Sequence, residues 1–384
     1  MSARSDQFQI GAALSSLGFL LAGLGACIAI LARDLDEPTG RLALLSSAFA
    51  VGLFIVAAVG PALLRSWSIG IVLRVGSLIC AAGGALLALA PVYAVVVVGG
   101  LCVGLGGALL VLVAPLMLHG ATAAAQLSRV NAVASAAGIL APLTIGLIDA
   151  LGITGRAAML IAVPPLLVLA TLKGSDSVPP LLSEAPSGHA VGRAVGLGWL
   201  RVVLAVGVEF CFVVWAVARL VDSGLALAIA ALLGTSFPIG MAIGRAIGPV
   251  HWRSVSPVVV GGSLAILGTL LVSLLNAPSL IAIGLVIAGV GVAPLYPVTI
   301  AALVAMPGLS PTRLAALGAL ASGTAILITP AALAALARVM DLRLAYLITI
   351  PLLLALFALS RTATPSQLSS ASASPRDEVR SRRL

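Results

Sequence analysis

One carboxylate lies where the sequence leaves it little access to water. Glu209 stands about midway along an apolar segment, residues 198–221. Removing a carboxylate from water costs on the order of several kcal/mol unless it is protonated, paired or hydrated. Arg201 lies about 12 Å away by helical rise, so no cation partner is expected for Glu209. The sequence predicts that Glu209 binds an exchangeable proton or a cationic ligand; the alternative is a structural acid that is hydrogen-bonded to neighbouring helices.

Other reactive chemistry is scarce. Neither the four cysteines nor the three histidines form the spacing of a zinc or redox site. The phosphate-binding pattern Gly-x-x-x-x-Gly-Lys-Ser/Thr is absent, and Lys173 is the only lysine. An enzyme acting within a membrane would need a His, Asp or Ser constellation, but no apolar run contains a histidine to work with Glu209. We therefore expect no metal, no cofactor and no enzymatic activity.

Composition indicates what surrounds this carboxylate. The chain is 61% hydrophobic and 9% charged, whereas about a quarter of the residues of a soluble domain are charged. Apolar runs of about twenty residues are long enough to cross a hydrocarbon core about 30 Å thick. The predicted fold class is an all-α polytopic membrane protein with twelve transmembrane helices. The predicted spans are residues 8–32, 42–64, 70–90, 92–118, 129–150, 155–172, 198–221, 225–249, 255–275, 277–305, 313–337 and 342–360.

A polar interruption divides these spans into two pseudo-symmetric bundles of six helices. The predicted domains are an N-terminal bundle, residues 1–172, and a C-terminal bundle, residues 198–360, joined by a cytoplasmic linker, residues 173–197. The basic tail, residues 361–384, is rich in Ser, Ala, Pro and Arg and cannot form a core, so we expect it to be disordered.

The distribution of basic residues predicts the orientation, because Lys and Arg are enriched in cytoplasmic loops. With both termini in the cytoplasm, all but six of the 21 Lys and Arg residues lie on that side. The six are Arg33, Arg41, Arg156, Arg219, Arg338 and Arg343. The net charge of +9 is then a cytoplasmic surplus facing anionic lipid, not a nucleic-acid site. We expect a multi-pass protein of the plasma or inner membrane.

Landmarks recur between the two halves at a nearly constant separation, which is typical of transporters built from repeats. The matching landmarks are Gly60 and Arg65 with Gly240 and Arg245, Gly104 and Gly106 with Gly289 and Gly291, and Arg129 with Arg313.

Several of these landmarks resemble motifs of the major facilitator superfamily. The run from Gly60 to Arg65 is similar to the family's loop between helices two and three, although Leu64 replaces its acidic residue. The run 138–146, GILAPLTIG, resembles a weakened Gly-Pro motif of helix five in exporters, and 289–297 resembles helix ten. The resemblance extends to about Arg361 and implies alternating access of two bundles.

Small and polar residues follow stripes at helical spacing, which indicates either a substrate path or close helix packing. The candidate cavity-lining residues are Asn131, Ser135, Pro142, Phe212, Tyr296, Ser322 and Thr329. The candidate gating or loop-motif residues are Gly60, Arg65, Gly240, Arg245, Arg129 and Arg313. For Arg129 and Arg245, the alternative is that the side chain reaches lipid headgroups.

Together these patterns predict a secondary active transporter, acting as a monomer among membrane lipids, with a proton as the coupling ion. Few polar residues in the spans and the Gly-Pro pattern favour efflux of an amphipathic or hydrophobic small molecule. The alternatives are proton-coupled uptake of a sugar or small metabolite, and a sensor that keeps the transporter fold without flux.

Overall fold

The computed structural model describes residues 3–37, 48–119, 122–172, 189–249 and 255–361, and their regular elements are helices. The first half contains α1 (Ala3–Leu35), α2 (Ala48–Ser66), α3 (Ile69–Leu89), α4 (Tyr93–Met117), α5 (Ala123–Ala150) and α6 (a 3-10 segment, Gly155–Ala162, continued by Val163–Thr171). Most of the predicted linker and the tail beyond Arg361 lie outside the described residues.

The second half repeats the pattern with several interrupted helices. It contains α7 (His189–Asp222), α8 (Leu227–Gly234 and Ser236–Ile247), α9 (Pro257–Leu274), α10 (Pro278–Val292 and Leu295–Val304), α11 (Pro311–Leu336) and α12 (Leu342–Ala345, the 3-10 turn Tyr346–Ile348 and Thr349–Arg361). The break in α10 falls at Pro294, which lacks the backbone N–H that a continuous helix needs.

The predicted count of twelve spans is confirmed. Within the described ranges, nine helices are long and apolar enough to cross a membrane, and three shorter apolar helices complete the set: Ala50–Ser66, Gly155–Thr171 and Leu232–Ile247. Because consecutive spans run in opposite directions, their ends fall on two faces. The face at which α1, α5, α7 and α11 begin is termed the amino face, and the other is termed the opposite face.

Two predicted boundaries are wrong. Helix α5 begins at Ala123 rather than at Arg129, because an alanine run of high helix propensity extends it and Gln126 donates a side-chain hydrogen bond to Thr122 Oγ1 at 3.0 Å. Helix α7 begins at His189, so residues 189–197 of the predicted linker are helical.

Close glycine contacts repeat between the halves at one constant offset in residue number. A Cβ on Gly83 would lie 2.8 Å from the Gly99 oxygen, and a Cβ on Gly268 would lie 2.6 Å from the Gly284 oxygen. The same offset relates the pair Gly76 and Gly106 to the pair Gly261 and Gly291. In each pair, a Cβ on the first glycine would lie close to the backbone oxygen of the second. The helix pairs α3–α4 and α9–α10 are therefore the same packing unit used twice.

The halves meet mainly through two helix pairs, α2 with α11 and α5 with α8. In the first pair, a Cβ on Gly323 of α11 would lie 3.3 Å from the Leu53 Cβ of α2. In the second, the Ser128 hydroxyl of α5 donates a hydrogen bond of 2.9 Å to the Arg245 carbonyl of α8, near the amino face. The second contact joins the halves near the amino face, whereas the first lies deeper, toward the start of α2.

On the opposite face, a polar cluster holds the first half together. Arg33, at the end of α1, donates to both oxygens of Asp149 on α5 at 3.0 and 2.8 Å. Its neighbour Asp34 accepts a 2.5 Å hydrogen bond from Thr154 and lies 3.5 Å from Arg156 of α6. Asp34 lies beyond Ser5–Leu24, the part of α1 that could span a membrane.

This cluster makes stability depend on pH. Partial burial alone would raise the pKa of Asp34, but hydrogen bonds from Thr154 and Arg33, with the charges of Arg33 and Arg156, lower it. The stabilisation is therefore present above the unfolded-state pKa of about 3.9 and is lost as the pH falls through the lower folded-state value.

We accordingly expect Asp34→Asn to reduce the free energy of unfolding by about 1 kcal/mol at pH 7 and by much less at pH 3. Thermal unfolding followed by tryptophan fluorescence at both pH values measures the difference. Asp341→Asn is the control, since the Asp341 side chain is 65% exposed and only 3.4 Å from a half-exposed Arg343. An equal loss at both pH values would contradict the assignment.

Candidate functional site

The deep carboxylate has a cation partner, so the prediction that Glu209 is unpaired is wrong. Arg245 Nη2 donates to Glu209 Oε1 at 2.8 Å, and the two side chains are only 10% and 15% exposed. The partner comes from another helix, α8, which no helical-rise argument along α7 could identify. Arg201 instead donates to the Leu359 carbonyl of α12.

Arg245 points into the molecule. It stands in the last turn of α8, where a headgroup contact was the alternative, but the residue is 8% exposed. The interaction of Arg245 with the poorly hydrated Glu209 carboxylate is favoured over contact with lipid headgroups, because an ion pair screens the charge of each partner from the apolar surroundings.

The guanidinium also reaches the first half of the molecule. Its Nη1 donates to the Ser135 hydroxyl of α5 at 2.6 Å. The backbone carbonyl of Arg245 accepts a hydrogen bond from Ser128, which lies earlier on the same face of α5. Ser135 was predicted as a cavity residue, but Ser128 was not. Their separation of two helical turns, which places both hydroxyls on one face of α5, is the signal that could have identified Ser128.

A second hydroxyl pair lies beside the ion pair. Tyr296 on α10 lies within electrostatic range of Glu209 and Arg245, and its hydroxyl lies near the Ser322 side chain of α11. Ser322 also donates to the Gly318 carbonyl at 3.0 Å. The structure thus brings five predicted residues together: Glu209, Arg245, Ser135, Tyr296 and Ser322. We refer to these five as the central cluster.

Other predicted cavity residues are placed elsewhere. Phe212 is fully buried and stacks on Phe237, with ring centroids 5.1 Å apart, in the core of the second half. Thr329 is buried in the α7–α11 contact, where its hydroxyl bonds the Gly207 carbonyl at 3.1 Å. The prediction that Phe212 and Thr329 line a cavity is therefore corrected, because the stripes that contain them serve helix packing. Asn131 bonds its own helix at Leu127.

Most of the predicted gate residues are packing or surface positions. A Cβ on Gly240 would lie 2.2 Å from the Val286 oxygen of α10, and one on Gly60 would lie 2.8 Å from Leu112 of α4. Both glycines therefore permit close helix approach. Arg65 and Arg129 are exposed.

Arg313 and Pro142 do not belong to the central cluster. Arg313 lines an apolar groove of about 360 Å³ between α2 and α11, together with Phe54, Pro61 and Leu317. Pro142 is half-buried in α5. Within the described ranges, no group of three or more His, Cys, Asp or Glu residues could hold a metal ion.

Comparisons with solved structures identify the architecture. The E. coli fucose:proton symporter FucP matches with a TM-score of 0.69 and 18% identity, over 93% of this chain and 98% of that chain. FucP in the outward conformation matches with a TM-score of 0.70 and 18% identity, over 93% and 99%. The human organic anion transporter MFSD10 matches with a TM-score of 0.62 and 18% identity, over 94% and 99%.

No family model and no curated protein sequence matches the chain. At 18% identity the structural likeness establishes the fold alone. Its coverage includes both halves and the helix pairs that join them. The chain is a multi-pass membrane protein with the fold of the major facilitator superfamily transporters.

Proposed function

We propose that this chain is a proton-coupled secondary transporter that works by alternating access. The observation that carries the proposal is the ion pair of Glu209 and Arg245, which is nearly buried and linked through Ser135 to the other half. An ionisable pair at this depth is typical of an ion pathway. The fold supplies the two bundles that alternate.

Protonation of Glu209 has a defined consequence for the contact between the halves. A neutral Glu209 no longer attracts the guanidinium, which then keeps its contact with Ser135 but loses its charged acceptor. We expect this to weaken the α7–α8 contact inside the second half, so that α8 and Arg245 can shift relative to α7. Through Ser128 and Ser135, such a shift would reach the contact between the halves near the amino face.

The direction of transport follows from whether proton and substrate exclude each other. The Gly-Pro pattern in α5 favours efflux, in which the proton leaves the site as the substrate enters. The ion pair favours uptake, because protonating Glu209 frees Arg245 and so opens a position for the substrate. We take co-transport with the proton as the proposal, and efflux as the second candidate.

The amino face is proposed to be cytoplasmic, with both termini on that side. The support is the excess of Lys and Arg there and the acidic residues on the opposite face, among them Asp34, Asp149 and Asp222. The membrane is then the plasma or inner membrane. A monomer suffices, because one chain contains both halves and the site between them.

The test is a screen for proton-driven accumulation. Proteoliposomes with an imposed pH gradient are incubated with a metabolite mixture, and their contents are identified by mass spectrometry. We expect the wild-type protein to concentrate at least one compound, and Glu209→Gln to reduce that accumulation by about tenfold or more while downhill exchange continues. Binding without flux would indicate a sensor, and equal accumulation by Glu209→Gln would refute the coupling role.

A further inference from the structure

Arg245 holds more hydrogen-bonding capacity than the protein uses. The guanidinium carries five N–H donors, yet it donates to one oxygen of Glu209 and to the Ser135 hydroxyl. The residue is more than nine-tenths buried, and its Nε is buried without an acceptor. A buried donor without an acceptor is unfavourable unless a ligand satisfies it.

The charge at this site depends on one acid. Among the described residues, Arg245 from α8 contacts the Glu209 carboxylate, and Tyr296 from α10 lies within electrostatic range of it. Other ion-paired acids of the described ranges lie at the opposite face: Asp34 and Asp149 with Arg33, Asp222 with Arg219, and Asp341 with Arg343. Once Glu209 is protonated, Arg245 is a buried cation with no counterion from the protein.

A carboxylate is the chemical group that fits this vacated position. It is planar, carries one negative charge and matches the fork of a guanidinium with two parallel hydrogen bonds. It also takes the place of the ionised Glu209 carboxylate beside Arg245, so the Nε donor and an Nη donor can both be satisfied. A phosphate monoester would bring a second negative charge, for which the described part of the site has no further cation within contact.

We propose that Arg245 binds the carboxylate of a monoanionic substrate with an apolar body, in the position that Glu209 leaves when it takes up a proton. Tyr296 and Ser322 belong to the same central cluster, so their hydroxyls are available to a polar group of a substrate that extends toward them. The loaded site then holds a neutral Glu209, a cationic Arg245 and an anionic substrate, and it has the same net charge as the empty ion pair. This inference rests on the proton coupling proposed above.

Charge balance adds a consequence that distinguishes this substrate class. Because the empty and the loaded sites are both neutral, neither conformational step moves net charge across the membrane potential. One proton and one carboxylate enter together, and both are released together. A neutral or cationic substrate would make one of these steps move charge.

Binding to the purified protein in nanodiscs tests the inference without requiring transport. The probes are benzoate, phenylacetate and 4-phenylbutyrate, each compared with its primary amide by isothermal calorimetry at pH 5.5 and pH 8. We expect at least one carboxylate to bind about tenfold more tightly than its amide at pH 5.5, and more weakly at pH 8, where Glu209 competes for Arg245.

Variants separate this mechanism from unspecific binding. We expect Arg245→Gln to abolish the preference for the carboxylate and Glu209→Gln to remove its pH dependence. Arg245→Lys keeps the charge and retains part of the affinity, which covers the case in which Arg245→Gln does not fold. Arg343→Gln is the matched control, because Arg343 lies on the opposite face with a 40% exposed side chain.

The outcomes also separate this inference from the proposed function. If no carboxylate in the series binds better than its amide at either pH, the substrate class is wrong, while proton-driven accumulation of another compound would leave the proposed function intact. If carboxylates bind as expected but no proton gradient drives accumulation, the proposed function fails. If the affinity for the carboxylate probe still depends on pH in Glu209→Gln, the proposed competition between Glu209 and the substrate carboxylate is wrong.

Discussion

Arg245→Met is expected to reduce the free energy of unfolding by about 3–5 kcal/mol, because it leaves the Glu209 carboxylate buried without a counterion. The wild-type pair has a 2.8 Å contact and little exposure, so water cannot easily replace the guanidinium. Ser135 loses its charged donor at the same time. Thermal unfolding in detergent, followed by tryptophan fluorescence, measures the loss.

The double variant Glu209→Gln/Arg245→Met is the control for this effect. Removing both charges is expected to restore most of the stability, since a buried pair replaced by uncharged side chains is often close to neutral. If the double variant is no more stable than Arg245→Met, the loss comes from packing and not from charge.

Gly52→Ala should destabilise the protein by about 3 kcal/mol through a backbone clash between α2 and α4. The added Cβ would lie 2.2 Å from the Gly104 oxygen and 2.8 Å from the Leu105 nitrogen. Both atoms belong to the main chain of α4, so no rotamer change relieves the contact, and the helices must separate. A maleimide dye that reports exposure of the buried cysteines Cys27, Cys80 and Cys211 follows unfolding.

Gly146→Ala is the matched control on α5, since nothing lies within 4 Å of its Cβ position. There the substitution should stabilise the helix by about 0.5–1 kcal/mol, because alanine loses less conformational freedom than glycine on folding. Gly240→Ala should behave like Gly52→Ala, because its Cβ would lie 2.2 Å from the Val286 oxygen. Equal unfolding midpoints for Gly52→Ala and Gly146→Ala would contradict the proposed clash.

The twelve spans were predictable because each apolar run must satisfy its own backbone hydrogen bonds in a hydrocarbon core. The internal repeat was predictable because glycines that allow helices to touch cannot be replaced freely. Gly106 and Gly291 illustrate this, since both press against the backbone of a neighbouring helix. These features depend on local composition and on spacing along one helix.

The ion pair was not predictable for the opposite reason. Glu209 and Arg245 lie on different helices, and their approach depends on the tilt and rotation of α7 and α8, which apolar patterns leave undetermined. Phe212 shows the same limit, because its position on the face of Glu209 suggested a cavity, whereas stacking on Phe237 places it in the core. Contact between helices is decided by the complete set of neighbours.

The break at Pro294 gives α10 a mechanical property that its counterpart α4 lacks. Pro278–Val292 packs on α9 through the repeated glycine contacts, whereas Leu295–Val304 is a separate short segment with Tyr296 as its second residue. In α4 the corresponding stretch continues without interruption to Met117. Because the joint lacks one backbone hydrogen bond, the direction of the short segment that carries Tyr296 is set by its own packing and not by the axis of Pro278–Val292.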